Sequence, residues 1–417
     1  MMKSDALRAG LGAFLLCLLA LALKSPDALG TPQFWAEDGA VFFAQQWPHA
    51  WPQLFSTYAG YLHFIDRSCA WIALAFPVQH APDIYNGLAL TLDAACIAYL
   101  LARIAPLGIA PVALAAIIFA PTNGEIFGNL TNTHWFTQLF LFACCFLPST
   151  ETGTARKVLV SVFVLAAALS GPFSIFLAAL CAGAVALSWA ASALGRETPG
   201  LSRLRSTFRA CRVAPLVAGA ALQLAFLLRS PPEPSTQTAL LKTVISAIGN
   251  GQAHLFGYYV MGDGLFLASL VGMAILLVAQ RLPSGLKTFL LLGSTFSLMQ
   301  IAAAALKAPE LVAAMAVLAN GDRYYFSFKL FWWCNLFAIA ASLYRSHGSE
   351  WPKISVAAIL LFVALMNRNH LQRPPLENKN WPAHARLIQE GREVRVPINP
   401  TPWEFHIEAR PGNGSRP

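Results

Sequence analysis

Long uninterrupted apolar blocks constrain this chain more than any other feature. They recur between residues 6 and 368, each close to the ~20 residues a helix needs to cross the hydrocarbon core. In lipid the backbone must satisfy its own hydrogen bonds, which leaves helices or a closed barrel. The blocks are continuous and do not alternate with period two, so they predict helices. Only 12% of residues are charged, against about 25% in soluble domains. A water-soluble fold could not cover itself with so little polar surface. The prediction is an all-α polytopic membrane protein with about eleven spans, at roughly 6–24, 84–104, 107–121, 133–148, 157–171, 173–194, 213–229, 264–281, 287–306, 326–344 and 353–368. The membrane body then covers 1–368, with a long first outer loop at 25–83 and a short outer tail at 369–417. Gly171-Pro172 fits either a turn between two helices or a kink in one. The first block follows Lys3 and Arg8 without an A-x-A-like cleavage site after it, so it reads as a retained span.

Orientation follows from Lys and Arg. With the N-terminus cytoplasmic, fourteen of them fall inside, seven in the outer segments before the tail, and eight in the tail. The loop carrying Arg196, Arg203, Arg205, Arg209 and Arg212 decides this, since short cytoplasmic loops keep Lys and Arg. The acids run the other way. Asp27, Glu37, Asp38, Asp66, Asp83, Glu125, Glu233, Asp263, Glu310 and Asp322 fall outside, against Asp5, Glu151, Glu197 and Glu350 inside. Carboxylates contribute little to insertion, so this excess is compatible with function on the outer face. The outer segments are also the longer ones. Long loops are usually functional or disordered, and these are too aromatic for disorder.

The formal net charge of +9 reads as loop charge and not as a nucleic-acid surface, because no basic stripe lies on a soluble domain. Of eight cysteines, Cys17, Cys96, Cys144, Cys145, Cys181 and Cys334 lie inside apolar blocks, where Cys acts as a small hydrophobe. No CxxC spacing occurs, so neither a disulfide framework nor a zinc site is indicated.

The first outer segment carries Phe34-Trp35-Ala36-Glu37-Asp38-Gly39, an acidic pair between bulky aromatics. Aromatic surroundings desolvate a carboxylate and raise its pKa, as a general base requires. Asp38 would also serve as N-cap of a short interfacial helix over Ala40–Gln46. Tyr61, His63, Asp66 and Arg67 follow. On a surface helix over 61–80, His63 and Arg67 share a face, suited to a phosphate or to anchoring an amphipathic helix. In the second outer loop Glu125 and His134 flank a polar run, which fits a carbohydrate-facing surface. It also fits a cap by Thr133, with Trp135 in the aromatic belt. Asn129-Leu130-Thr131 and Asn413-Gly414-Ser415 are glycosylation sequons.

Lys242 and His254 precede the span at 264, and Asp322-Arg323-Tyr324-Tyr325 opens the span at 326 with Lys329 one turn on. These groups read as span anchors or as a clamp on a lipid phosphate. Asp93, deep in a span, reads as an inward structural hydrogen bond. The tail, with Trp381, His384 and Trp403, fits a cap of short strands and is too short for a catalytic domain of its own.

Taken together, these features resemble the GT-C superfamily of membrane glycosyltransferases. The shared pattern is a first span, an outer loop with an acidic motif, amphipathic helices along the membrane, further spans and outer-face cations. Arg323-Tyr324-Tyr325 is similar to the Arg-Tyr segment of some bacterial members. The resemblance implies a lipid-linked sugar donor, a polyprenyl phosphate or diphosphate, and a glycan or lipid acceptor. It gives the catalytic role to Asp38 first and Glu37 second, with Mg or Mn as a divalent cation some members use. It assigns donor phosphate to Arg323, Lys242, Arg67, His63, His254 and Lys329, and acceptor or sugar to Glu125, His134 and Tyr61. A bacterial inner membrane fits the short cytoplasmic loops.

Three rivals stand beside it. A polysaccharide polymerase or ligase needs no acidic base. A transporter needs paired polar groups at mid-membrane and an inverted repeat. A non-catalytic assembly subunit tolerates loss of Glu37, Asp38 and Arg323 together.

Overall fold

The computed structural model describes residues 2–49, 51–148, 153–195, 210–229, 240–319 and 321–409. Arg196, Arg203, Arg205 and Arg209 of the orienting loop lie outside the described residues, as do Glu151, Glu197, Glu233 and the Asn413 sequon.

Each of the eleven predicted apolar segments is helical. The helices are α1 (Met2–Lys24), α2 (Asp27–Gly30), α3 (Ala44–His49), α4 (Phe64–Ala73), α5 (Ala81–Ile104), α6 (Ala110–Phe119), α7 (His134–Phe146), α8 (Thr154–Ala168) and α9 (Phe173–Ala193). They continue as α10 (Ala210–Arg229), α11 (Leu240–Gly249), α12 (Gly251–Phe256), α13 (Asp263–Ala279), α14 (Ser284–Lys307), α15 (Phe326–His347), α16 (Trp351–Met366) and α17 (Trp381–Gln389).

Among the described residues five stretches are long and apolar enough to cross a membrane: Val78–Leu107, Phe173–Ala193, Arg212–Arg229, Ser284–Lys307 and Asp322–Tyr344. The apolar helices α6, α7, α13 and α16 are shorter. At 1.5 Å per residue, a ten-residue helix covers about 15 Å, half of a ~30 Å hydrocarbon core. By that measure α6 does not cross as a helix alone, and helix length does not by itself carry a count of eleven spans. Leu15, Leu159, Val162, Leu187, Val271, Ile275 and Leu361 are exposed. Apolar faces of this extent are foreign to soluble proteins, and the chain is a helical, membrane-embedded protein.

Gly171-Pro172 is a turn between two helices. Gly171 takes φ +117°, which only Gly adopts readily, and α9 starts afresh at Phe173.

The stretch 61–80 is not one helix. Thr57–Tyr58 (β1) and Tyr61–Leu62 (β2) pair as an antiparallel hairpin, and α4 begins at Phe64. Ala59 and Gly60 turn it with φ of 52° and 88°, matching the twist that two-residue hairpin loops require. Upstream, Asp38–Phe43 forms a π-helical turn running into α3.

The tail folds onto this first loop. Val394–Pro397 (β3) pairs antiparallel with Glu404–Ile407 (β4). Phe34, Phe42, Phe43, Trp381, Ile398 and Phe405 share one apolar core. The contact is close: a Cβ on Gly39 would stand 2.9 Å from Ile398 Cδ1. Buried Arg373 bolts the start of the tail down, donating from Nη2 to Asp27 Oδ2 at 2.6 Å and from Nη1 to the Phe127 carbonyl at 2.7 Å.

Candidate active site

The acidic pair is split by its backbone. Ala36, just ahead of it, has φ +36°, a region that costs a non-glycine residue roughly 1–3 kcal/mol. The tail holds it there: the Ala36 N–H donates to the Asn399 carbonyl, and Trp35 and Asn399 form a parallel bridge. Asp38 points inward and is fully buried. Its Oδ2 accepts the Leu130 N–H at 3.0 Å and its Oδ1 the Thr131 N–H at 2.7 Å. It lies inside its helical turn, whose N-cap position falls to Glu37 without a side-chain cap. Burial pushes its carboxyl well above the usual range, and the two N–H donors pull it back. With both oxygens engaged, Asp38 fastens the first loop to the second.

Glu37 turns the other way. It is half-buried, and among the described residues its oxygens meet the Tyr58 hydroxyl at 3.3 Å and Thr131 Oγ1 at 3.5 Å. These are long, weak contacts that leave acceptor capacity free. Burial, and then the charge of Glu37, push the Tyr58 phenol up to about 12.

Arg323 arrives from far along the chain and is gripped by Glu125. One carboxylate oxygen accepts its backbone N–H at 2.8 Å and the other its Nη1 at 3.0 Å. The guanidinium lies 5.0 Å from the Tyr324 ring centre. The charges of Arg323 and Glu37 act on one another and on Tyr58 and Tyr61, so the four groups share one neighbourhood. Lys307, at the end of α14, borders it. Its Nζ donates to the Ala59 carbonyl at 3.1 Å and sits 5.7 Å from the Tyr61 ring centre. The sequence does not mark Lys307 for the site, because a Lys ending an apolar segment reads as a membrane anchor.

Beside these groups lie His63 and His134, with ring centres 5.7 Å apart, and Tyr61 packs on His63 at 4.6 Å. The backbone around His63 is clamped on two sides. Gln223 of α10 accepts the Leu62 N–H at 2.8 Å and donates to the Leu62 carbonyl at 3.0 Å. Ser170 Oγ accepts the Ile65 N–H at 2.8 Å. Asp66 Oδ2 lies 3.0 Å from His63 Nδ1. Burial, with the Arg67 charge second, lowers the His63 imidazole to about 3 and keeps it neutral.

The remaining candidates are placed elsewhere or already engaged. His254 is fully buried, with Nδ1 2.9 Å from Asp322 Oδ1 and Nε2 2.9 Å from the Met315 carbonyl. Lys329 donates to Asp322 Oδ1 at 2.7 Å and to the Pro121 carbonyl at 2.8 Å. Both hold structure and have little left for a donor phosphate. Lys242 is exposed on α11. Arg67 is buried, donates to Gln45 at 2.9 Å, and lies 5.5 Å from the Phe42 ring centre. The polar run of the second loop is spent on itself, since the Asn129 and Asn132 amides donate to the Glu125 carbonyl at 2.7 and 2.8 Å. Asn129, Thr131, Asn132 and His134 of this run are buried. Trp135 is buried and not in a belt, and Thr133 makes no side-chain cap. Asp93 is fully buried near Thr133, with neither oxygen in hydrogen-bond geometry.

Comparison of the chain with family models, with curated proteins and with solved structures finds no match.

Proposed function

We propose that this protein is a membrane glycosyltransferase of GT-C type that moves a sugar from a polyprenyl-phosphate carrier to a glycan or lipid acceptor. The proposed setting is the extracytoplasmic face of a bacterial inner membrane, with the N-terminus cytoplasmic. One observation carries the reading: a half-buried carboxylate, Glu37, meets Thr131 of the second outer loop, the loop whose Glu125 grips Arg323 from the far end of the membrane body. Asp38 is the weaker candidate for the base because its oxygens are occupied by backbone N–H groups.

In this mechanism Glu37 takes the proton of the acceptor hydroxyl. The acceptor oxygen bonds to the anomeric carbon as the bond from that carbon to the phosphate oxygen breaks. The electron pair leaves with the phosphate, where Arg323 and Lys307 stabilise it. A single displacement inverts the anomeric carbon. Phosphate is a good leaving group, so one base suffices. An apolar groove lined by Leu277, Leu291, Leu298, Phe328 and Trp332 runs between α13, α14 and α15. It offers a polyprenyl chain a path beside the two helices whose ends carry Lys307 and Arg323.

The test is sugar transfer by the protein in liposomes supplied with labelled polyprenyl-phosphate hexoses. Glu37→Gln should lower turnover by about 100-fold or more, the usual scale for a lost general base, with little change in donor KM. Arg323→Ala should weaken both. Undiminished turnover in both variants sinks the proposal.

A further inference from the structure

Three buried side chains near Glu37 are left chemically incomplete. His63 Nε2, Asp66 Oδ1 and His134 Nδ1 have no hydrogen-bond partner. The carbonyls of Tyr58 and Thr131 lie beside the two rings without hydrogen-bond geometry to those nitrogens. Asp66 is fully buried, and His63 and His134 are 2% and 7% exposed, so bulk water does not relieve them. Leaving a buried polar atom without a partner is unfavourable, and three in one place call for a ligand.

We propose that His63, Asp66 and His134 form a binding site for a divalent transition-metal ion of the zinc class. One nitrogen or oxygen from each lies within 4.8 Å of the other two. Zinc–nitrogen bonds near 2.0–2.1 Å in a tetrahedron put donors about 3.4 Å apart, so small side-chain rotations close the set. Two imidazoles and a carboxylate favour zinc-like ions over magnesium or calcium, which prefer oxygen alone. Three protein ligands leave at least one position open for water or substrate, as in catalytic zinc sites.

The surrounding charge is compatible with a cation there. Asp38, Asp66 and Asp93 are all fully buried, and Asp66 acts electrostatically on each of the other two. Arg67 lies beside Asp66 and opposes it, but its guanidinium is more than 4 Å from that carboxylate, since the two form no ion pair. A divalent ion on Asp66 would favour its charged form. The ion would also tie the hairpin and α4 to α7, beneath the residues assigned to sugar transfer. The site goes beyond that reaction and does not depend on it.

The experiment uses the full chain in detergent, stripped with a chelator and titrated with cobalt(II), whose visible spectrum reports nitrogen ligation. One equivalent should bind, zinc(II) should displace it, and magnesium should not. His134→Gln and His63→Gln should each weaken cobalt binding by at least about 100-fold. Zinc should raise the melting temperature of the wild type and not that of the variants. Wild-type protein that neither changes the cobalt spectrum nor melts higher with zinc overturns the proposal, whether or not any variant folds. A double variant that binds as tightly as wild type overturns it as well. Both readouts are independent of turnover, so a failure of the sugar-transfer reading leaves them standing.

Discussion

Two buried histidine–aspartate pairs stand in this molecule at nearly the same separation, and they are completed differently. His254 and Asp322 approach to 2.9 Å, His63 and Asp66 to 3.0 Å. Asp322 also accepts from Lys329 at 2.7 Å and from Thr122 Oγ1 at 2.8 Å, and the other nitrogen of His254 faces a carbonyl. That group is saturated, and it joins the second loop, α12 and the start of α15. Around His63 the same residue types leave a nitrogen and an oxygen without partners, and His134 adds another. A buried polar network with every member satisfied rigidifies a fold. One with members left over has capacity for a ligand.

The contrast can be broken by mutation. Asp322→Ala strands Lys329 and His254 in the interior. It should cost about 3–5 kcal/mol, the scale for removing one partner of a buried ion pair. Thermal unfolding in detergent and the yield of folded protein measure it. Asp66→Asn keeps an acceptor for His63, so in metal-free protein it should cost about 1 kcal/mol, one ordinary hydrogen bond. An Asp66→Asn loss as large as that of Asp322→Ala would erase the distinction between the two pairs. Lys242→Ala, on an exposed helix face, should move stability by less than about 0.5 kcal/mol and leave transfer and cobalt binding unchanged. A drop in either would return Lys242 to the site.

The helices were the legible part, because lipid offers a continuous apolar run hardly any other conformation. How many of them cross was less legible, since α6 and α7 are apolar but short. The sequence shows Glu37 and Asp38 as a pair, and the resemblance favours Asp38. Their division of labour depends on backbone N–H groups 92 and 93 residues away, which no local pattern encodes. His63 and Asp66 sit three apart and could be read together. His134 joins them only because α7 packs beside the first loop. Arg323 was legible as a cation at a span entrance. That Glu125 would grip it, and so give up its expected role toward an acceptor, was not.

The left-handed turn at Ala36 is held by Asn399, a residue made after every helix of the membrane body. A nascent chain that has completed α16 therefore still lacks the strap that aims Glu37. Clipping the sequence before Asn399 should leave a protein that inserts and packs its membrane helices but does not arm its carboxylate. On the proposed reaction, the carboxylate takes its working position only after the chain has passed the last membrane helix and reached Asn399.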